Sequence, residues 1–342
     1  MNTTFKDIDW VAFNDKRVLI YGGMGFIGSN LTKECLRMGA KVTIVDDLSN
    51  SEISFNMPEL RDVELVRHSV SYQPVHDHAL EADFIIWACS TQISKAHHHP
   101  VPDMMINAAS FAYMCDHVAY HQKHRANKIQ RIIYCGSVSV FGQPSTGWIN
   151  GSTIQNPRSH YAISKLAGEH YARLYTREPY NLPITVIRYS NVYGPGQTPT
   201  GGRTCGVIGK FIHEYLTSGE MEIYGEGSDI RDYTYIDDVV AFTLGACILR
   251  DTNRRTFNFG TGVGCDIHHL IDLIDAEGDA PRQVSFEQKR QIDTVSRRIV
   301  DPQDVKWQTG WEKFVPLDQG IRWTMGWYAD HLQAINDADD HE

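Results

Sequence analysis

The fold of this chain is decided by one glycine-rich stretch, Val18-Leu19-Ile20-Tyr21-Gly22-Gly23-Met24-Gly25-Phe26-Ile27-Gly28-Ser29-Asn30-Leu31. An apolar run leads into the glycines, and a helical pattern follows them. Gly22 permits a tight turn, Gly25 lets the backbone approach a phosphate, and Gly28 lets the helix pack closely on the strand. The N-terminus of that helix offers free N–H groups to an anion. The stretch therefore predicts a site for the pyrophosphate of a dinucleotide.

A second apolar run, Lys41–Val45, ends in the acidic pair Asp46-Asp47, eighteen residues after Gly28. A carboxylate at the end of a second strand binds the hydroxyls of an adenosine ribose, and it would repel a 2′-phosphate. We therefore predict that the chain binds NAD rather than NADP.

Length and composition limit the classes of protein to which this chain can belong. The chain length of 342 residues exceeds that of one typical domain. The hydrophobic content of 42% is enough to form a sizeable core. Neither an apolar run long enough for a membrane span nor a secretory signal is visible. The seven cysteines are scattered without a Cys-x-x-Cys pair, as is typical of reduced thiols in a cytosol. A net charge of −10 argues against nucleic-acid binding. We expect a cytoplasmic protein with no membrane or nucleic-acid partner and no metal.

Apolar runs alternate with helical patterns up to about residue 190. The predicted strands are Arg17–Tyr21, Lys41–Val45, Val63–Val66, Phe84–Ala88, Ile132–Cys135 and Ile184–Arg188, and the clearest helices are Ile27–Met38, Asp103–His124 and Tyr161–Thr176. This alternation is typical of a parallel sheet with helices on both faces. The run His97-His98-His99-Pro100 is predicted to be a polar loop after the fourth strand.

The regular alternation of strand and helix patterns ends after Asn191, and glycine and proline are concentrated in residues 194–209. We predict an α/β fold, a Rossmann-type doubly wound parallel sheet with a smaller C-terminal α/β substrate domain. Residues 1–190 would form the NAD-binding domain, with segments near 232–262 returning to it, and residues 191–342 would be mainly substrate-binding. The tryptophans of the C-terminal part are predicted to pack within it: Trp307, Trp311, Trp323 and Trp327.

The chemistry is indicated by Tyr161-Ala162-Ile163-Ser164-Lys165. On a helix, residues four apart share a face, so Tyr161 and Lys165 can enter one pocket. An ammonium beside a phenolate stabilises it, which makes the tyrosine usable as an acid and base. Upstream, the strand that ends in Cys135-Gly136-Ser137 delivers a hydroxyl at its carboxyl end, where Ser137 could bond the reacting substrate oxygen.

Together these motifs resemble the extended short-chain dehydrogenases of the NAD-dependent epimerase/dehydratase family, along nearly the whole chain. The resemblance implies catalytic roles for Ser137, Tyr161 and Lys165. It also implies a homodimer, built through a four-helix bundle of the two long helices.

The resemblance also implies two sets of binding residues. Those beside the cofactor are Gly22, Gly25, Phe26, Ile27, Gly28, Asp46, Asp47, Asn50, Ser51, Ser69, Val70, Ala88, Thr91, Asn107, Tyr161, Lys165 and Tyr189 (or Ser190). Those beside the substrate are Ser137, Asn191, Arg203, Arg231 and Arg298, of which the last two would bind a diphosphate.

The chain departs from the family's pattern at two places. The third strand usually ends in an aspartate that meets the adenine, whereas Ser69 stands here, so we expect an altered adenine contact. Dehydratases and decarboxylases of the family place a carboxylate just after the catalytic serine or threonine, and 3,5-epimerases place a cysteine there. This chain has Val138 and Ser139.

The hypothesis that remains is a nucleotide-sugar epimerase. The resemblance implies C4 as the reacting carbon, since it is the commonest site in the family, and a UDP-sugar as the substrate. Tyr161 would remove a hydroxyl proton while the carbon gives hydride to NAD, and the resulting ketone would be reduced from its other face. A nucleotide-sugar ketoreductase is the main alternative, followed by a dehydratase or decarboxylase. A non-enzymatic NAD-binding regulator is disfavoured because Ser137, Tyr161 and Lys165 are all present.

Overall fold

The computed structural model describes residues 9–49, 60, 63–122, 129–197, 206–278 and 283–339. Its strands are β1 Arg17–Tyr21, β2 Lys41–Asp46, β3 Glu64–Arg67, β4 Phe84–Trp87, β5 Arg131–Ser137, β6 Trp148–Ile149, β7 Ile184–Tyr189, β8 Asn191–Tyr193, β9 Glu220–Tyr224, β10 Ile230–Tyr235, β11 Thr256–Phe259, β12 Gly264–Cys265, β13 Gln283–Glu287 and β14 Arg297–Val300. Its α-helices are α1 Phe26–Arg37, α2 Ile93–His98, α3 Pro100–Met104, α4 Ser110–Gln122, α5 His160–Tyr175, α6 Val207–Thr217, α7 Ile236–Ile248, α8 Ile267–Asp275, α9 Gln303–Thr309 and α10 Leu317–Asp339.

A 7-stranded parallel sheet forms the larger part of the molecule, in the order β11-β7-β5-β4-β1-β2-β3. Strands β4 and β7 are buried at every position, as expected for parallel strands covered on both faces. Side chains of α1 and α7 pack on one face, and those of α4 and α5 pack on the other. The predicted Rossmann-type doubly wound sheet is confirmed. Strand β11, which comes late in the chain, extends this sheet beside β7.

A smaller sheet follows the order β12-β10-β14-β6, and β8 also pairs with β10. Strands β9 and β13 form a separate parallel pair. Helix α10 packs on α6 and α8. This part is the predicted smaller C-terminal α/β unit. Strand β6 joins it from the chain segment just after β5, so the two sheets meet beside the end of β5.

Three local predictions need correction. The helix expected from Asp103 begins at Pro100 and is interrupted by a π-helical turn, Met105–Ala109, before α4. His97 and His98 end the short helix α2 rather than lying in a loop. Trp311 is buried in the core, as predicted, but Trp307 is 93% exposed, because it lies on the outer face of the short helix α9. Within the described ranges, no helix is long and apolar enough to cross a membrane.

Candidate active site

The glycine turn between β1 and α1 has the geometry that its sequence predicts. Gly22 has a φ of 76°, which favours glycine, and its N–H donates to the carbonyl of Val45 at 2.8 Å. A Cβ on Gly28 would lie 1.9 Å from the carbonyl oxygen of Gly22, so a side chain there cannot coexist with this turn. A Cβ on Gly25 would meet only that same oxygen, at 3.5 Å. The space over Gly25 is therefore open to a ligand.

Helix α1 begins at Phe26 without a side-chain cap, because its N-cap residue is Gly25. The first N–H groups of a helix have no partner within the helix, so those of Phe26, Ile27 and Gly28 are available to an anion. The side chains of Phe26 and Ile27 pack on the core below the turn. A diphosphate fits this position by both shape and charge.

The two aspartates at the end of β2, Asp46 and Asp47, have different roles. Asp46 is buried, and its carboxylate accepts backbone N–H bonds from Met24 at 2.9 Å and from Leu48 at 2.8 Å. It therefore fixes the glycine turn to β2. Asp47 is exposed and accepts from the N–H of Ser49 at 3.0 Å. The neighbouring predicted residues Asn50 and Ser51 lie outside the described residues.

The predicted catalytic pair, Tyr161 and Lys165, lies on α5. The first turn of this helix is capped by Ser159, whose hydroxyl oxygen accepts from the N–H of Ala162 at 3.2 Å. The Lys165 side chain is 2% exposed, and its ammonium lies 5.9 Å from the centroid of the Tyr161 ring. The ammonium donates to the carbonyls of Cys135 at 3.0 Å and Cys89 at 3.4 Å. Two neutral carbonyls from the ends of β5 and β4 thus hold the cation beside Tyr161, and no carboxylate among the described residues pairs with it.

Ser137 is the last residue of β5 and caps the following 3-10 turn, Val138–Phe141. Its hydroxyl oxygen accepts from the N–H of Ser139 at 3.2 Å, and its side chain is only partly buried. The hydroxyl proton remains available for a bond to substrate. Ser137 and Lys165 are brought together because the ammonium bonds Cys135, two residues before the serine.

Thr91 and Asn107 lie in one polar cluster next to the catalytic helix. Both side chains donate to the same oxygen of the buried Asp103, Asn107 at 2.7 Å. Asn107 also donates to the hydroxyl oxygen of Ser164 at 3.0 Å, one residue before Lys165. The sequence analysis identified Thr91 and Asn107 but missed Asp103, whose only signal was a charged residue in an otherwise apolar helix pattern.

The remaining cofactor predictions differ in how their side chains are placed. Ser69 is partly buried, and its hydroxyl lies 3.0 Å from that of Ser71, at the end of β3. The Val70 side chain is buried in the core, so Val70 can meet an adenine only through its backbone. Ala88 follows β4 and donates its N–H to the carbonyl of Tyr21 at 2.9 Å.

The sequence predicts that Tyr189 or Ser190 lies beside the nicotinamide. The Tyr189 side chain lies on the α7 face of the large sheet, so Tyr189 could make such a contact only through its backbone. It is buried in the core, with its hydroxyl 2.7 Å from that of Thr243 on α7. Consecutive side chains of a strand point to opposite faces, and at Tyr189 the face is that of α7 rather than of α5. Ser190 follows it, with its hydroxyl 2.6 Å from that of Thr234.

Two arginines stand side by side in the smaller sheet. Strands β10 and β14 are parallel, and Arg231 is directly opposite Arg298. Burial, and then the positive charge of Arg231, lower the pKa of Arg298 to about 9. Its Nε is buried without a hydrogen-bond partner, and within the described residues no carboxylate pairs with its guanidinium. Arg231 has a distant partner in Asp229, at 3.8 Å. The pair can therefore bind a ligand with two negative charges.

The loops around the arginine pair are held by a buried carboxylate that the sequence analysis did not single out. Asp232 is fully buried and accepts four bonds, from the N–H groups of Gly262 and Val300, both at 3.1 Å, and from the N–H and hydroxyl of Thr261. Burial raises the pKa of Asp232, while these bonds lower it. Asn191 donates to the carbonyl of Asp232 at 2.9 Å, which places it next to the pair. The predicted Arg203 lies outside the described residues.

The chain is similar to known proteins over nearly its whole length. The chain is 29% identical over 332 residues to the UDP-glucose 4-epimerase of Mycolicibacterium smegmatis, covering 93% of this chain and 100% of that one. It is 27% identical over 338 residues to the dTDP-D-glucose 4,6-dehydratase of Homo sapiens, covering 93% and 91%. The solved UDP-glucose 4-epimerase of Thermotoga maritima, in complex with UDP-glucose, has a TM-score of 0.81 at 27% identity, covering 92% of this chain and 99% of that one.

The family itself is settled by a broader match. The sequence model of the NAD dependent epimerase/dehydratase family matches residues 18–260, which include the glycine turn, Ser137, Tyr161 and Lys165. Because this match covers more than half of the chain, the chain belongs to the NAD-dependent epimerase/dehydratase family, and NAD is its cofactor.

Proposed function

We propose that this protein is a nucleotide-sugar 4-epimerase that acts on a UDP-sugar. The observation that carries the proposal is the in-register pair Arg231 and Arg298. Arg298 has no carboxylate partner among the described residues, and the repulsion from Arg231 is relieved when a dianionic group binds between them. The diphosphate of a nucleotide sugar is such a group. Both the Mycolicibacterium and the Thermotoga relatives are UDP-glucose 4-epimerases.

The residues present fit NAD. The open space over Gly25 and the uncapped start of α1 would receive its diphosphate, and Asp47 would reach its ribose hydroxyls from an exposed position. When bound, NAD supplies a reversible acceptor of hydride. Asn107 and Thr91 would flank it on the side of α5.

The chain's own residues perform the proton transfer. Tyr161, as phenolate, takes the hydroxyl proton of the sugar. The Lys165 ammonium, 5.9 Å from the centroid of the Tyr161 ring, stabilises the negative charge of the phenolate. Ser137 donates a hydrogen bond to the same sugar oxygen. After the keto sugar has rotated within the site and its other face is reduced, Tyr161 returns the proton to the sugar oxygen. The diphosphate stays on the arginine pair, so the sugar is held at its far end throughout.

The turn after Ser137 favours epimerisation over dehydration. Elimination of water needs an additional base and an acid near the reacting carbons. The 3-10 turn Val138–Phe141 supplies only apolar side chains and the hydroxyl of Ser139, and it is buried throughout. Overall sequence identity does not separate the two reactions, because the human dehydratase is 27% identical to this chain and the Mycolicibacterium epimerase is 29% identical. The side chains of the turn after Ser137 are therefore what favours the epimerase.

The test is mass spectrometry, in heavy water, of the products from a panel of nucleotide sugars with no added cofactor. We expect a product of unchanged mass that carries no deuterium, because hydride returns to the same carbon from which it came. A deuterated product of otherwise unchanged mass would indicate epimerisation next to a ketone. Loss of water or carbon dioxide would contradict the proposal, and a gain of two hydrogens only after NAD(P)H is added would establish a reductase.

We also propose that the protein is a homodimer. Helices α4 and α5 pack together and carry large exposed apolar side chains, namely Tyr113, Tyr120, Ile163, Tyr171 and Leu174. Tyr120 is 70% exposed, and burying such side chains against a second copy is favourable. Light scattering should give twice the chain mass, and replacing Tyr120 and Leu174 with glutamate should give the monomer. A monomeric parent protein would exclude this assembly.

A further inference from the structure

A buried carboxylate behind the cofactor side of the site has no role in the mechanism above. Asp103, on α3, has no exposed surface. Its Oδ1 accepts from the hydroxyl of Thr91 and from the side-chain amide of Asn107, the latter at 2.7 Å. Among the described residues no cation pairs with it.

Asp103 joins three segments of chain that meet at the site. Thr91 belongs to the loop after β4, Asn107 to the π-helical turn, and Asn107 passes the connection on to Ser164 of α5 at 3.0 Å. The hydroxyl of Ser164 in turn donates to the carbonyl of Tyr161 at 3.0 Å. The carboxylate is thus connected to the backbone of the catalytic tyrosine through hydrogen bonds alone.

This arrangement is costly for stability. The Oδ2 of Asp103 and the Oδ1 of Asn107 are both buried without a hydrogen-bond partner. A buried polar atom left without a hydrogen-bond partner destabilises the folded state, because its contact with water is lost and not replaced. π-Helical turns are rare and occur often at functional sites. One unpartnered oxygen within the π-turn and another on the helix just before it therefore call for a function that a stability argument does not supply.

We propose that Asp103 is a positioning residue, which holds Thr91 and Asn107 in the geometry that the cofactor pocket needs. The inference rests on the proposed function in one respect, that Thr91 and Asn107 line the pocket. Asp103 itself touches no ligand, because its carboxylate is fully enclosed. It acts through the acceptor Oδ1, which both side chains share.

The test compares Asp103→Ala with Asp103→Asn. The asparagine keeps an oxygen that can accept both bonds, whereas alanine removes it. The matched control is Asp238→Ala, which deletes another buried carboxylate. Among the residues that the structure describes, this carboxylate accepts one hydrogen bond, from the N–H of Val315 at 2.8 Å. NAD affinity is measured first by calorimetry, since it requires no knowledge of the sugar, and kcat and KM follow on the best substrate of the panel.

We expect Asp103→Ala to weaken NAD binding and to lower kcat, each on the order of 10-fold, with the KM of the sugar changed by less than about 3-fold. Asp103→Asn should restore both to within about 3-fold of the parent protein. The Asp238→Ala control should lower the thermal midpoint without changing NAD affinity. Thr91→Val combined with Asp103→Ala should be no worse than Asp103→Ala alone, because both remove the same bond.

Two results would overturn the inference while the proposed function stands: NAD affinity and kcat unchanged in Asp103→Ala, or an equal loss in Asp238→Ala. An Asp103→Asn variant as impaired as Asp103→Ala would also overturn it, since hydrogen-bond acceptance would then not be the relevant property. If the parent protein binds NAD but converts no nucleotide sugar, the proposed reaction fails while the affinity comparison still decides the role of Asp103.

Discussion

The proposed cofactor side and the proposed substrate side of the site are built by opposite means. On the cofactor side, the turn through Gly22, Gly25 and Gly28 owes its shape to missing side chains, and every nearby polar side chain that shapes it is bonded to backbone. On the substrate side, Arg231 and Arg298 are held next to each other although their charges repel. The cofactor side is defined by its shape. The substrate side is defined by two adjacent positive charges, of which Arg231 has a partner in Asp229 and Arg298 has no carboxylate partner among the described residues.

This difference has a consequence for how each side responds to change. A space made by absent atoms is stable without a ligand, whereas two adjacent cations are stabilised by one. Substitutions on the cofactor side should therefore act through steric fit and be insensitive to salt. Substitutions on the substrate side should act through charge, and salt should weaken the binding that they report.

The largest effect is expected at Tyr161, which lies between the two sides. Tyr161→Phe removes the acid and base, so kcat should fall on the order of 10³-fold or more. NAD affinity should change little, since the ring remains in place. Turnover assays and NAD titration measure the two quantities. Tyr171→Phe, an exposed tyrosine on the same helix, is the control and should behave like the parent protein. Near-normal turnover in Tyr161→Phe would exclude the mechanism.

The next effect is expected at Arg298. Arg298→Ala removes a charge-assisted contact, so affinity for UDP should fall on the order of 10- to 100-fold, with NAD affinity unchanged. The salt dependence of UDP binding should become shallower at the same time. Arg297→Ala is the matched control, because Arg297 precedes Arg298 on β14 and is exposed. If both variants bind UDP like the parent protein, the arginine pair is not the diphosphate site.

A smaller and purely steric effect should separate Gly25 from Gly28. Gly28→Ala places a methyl group 1.9 Å from the Gly22 carbonyl, so the turn must deform, at a cost of about 1–3 kcal/mol of stability. Gly25→Ala finds room in the protein and should unfold like the parent, but it should weaken NAD binding by crowding the phosphates. Thermal midpoints with and without NAD distinguish the two. A Gly25→Ala variant with full NAD affinity would mean that the diphosphate does not approach Gly25.

The smallest effect on turnover is expected at Asp238, which belongs to neither side. Burial raises the pKa of this carboxyl from 3.8 to about 7. The folded state thus binds a proton that the unfolded state has released, and stability falls as pH rises from about 4 to about 7. Each pKa unit corresponds to about 1.4 kcal/mol, so the loss is on the order of 4 kcal/mol.

Asp238→Asn should abolish this pH dependence while still accepting the Val315 N–H bond. Chemical denaturation at pH 5 and pH 8 tests it, and the variant should exceed the parent protein more at pH 8. An equal difference at both values would contradict the elevated pKa. Turnover should be unaffected.

Much of the cofactor side could be predicted from consecutive residues. The bounds of β1, β2, β4 and β7 agree with the apolar runs to within one residue, because buried parallel strands are continuous apolar segments. The spacing of the glycines placed the turn, and the four-residue spacing of Tyr161 and Lys165 placed both on one face of α5. Each of these features depends on interactions between near neighbours in the chain.

The errors came where distant segments decide the outcome. Whether Tyr189 points toward α5 or α7 depends on the pleat of a sheet that six other strands help to build. The sequence does not distinguish Asp103 from other polar residues of a helix. Its role depends on Thr91 and Asn107, which both donate hydrogen bonds to its Oδ1 in the folded protein. Trp307 was expected in the core, but the helix that carries it exposes that face.

By itself, the sequence determined the parallel sheet, the glycine turn and the placement of Tyr161 and Lys165 on one helix face, because hydrophobic periodicity, glycine sterics and helix spacing act over a few residues. Only the tertiary structure decided that Arg231 and Arg298, 67 positions apart, would be direct neighbours, since strand pairing sets that register. The same holds for Asp103 behind Thr91 and Asn107. The physical reason is that unpaired charge and enclosed hydrogen bonds are properties of packed surroundings, which no short stretch of sequence contains.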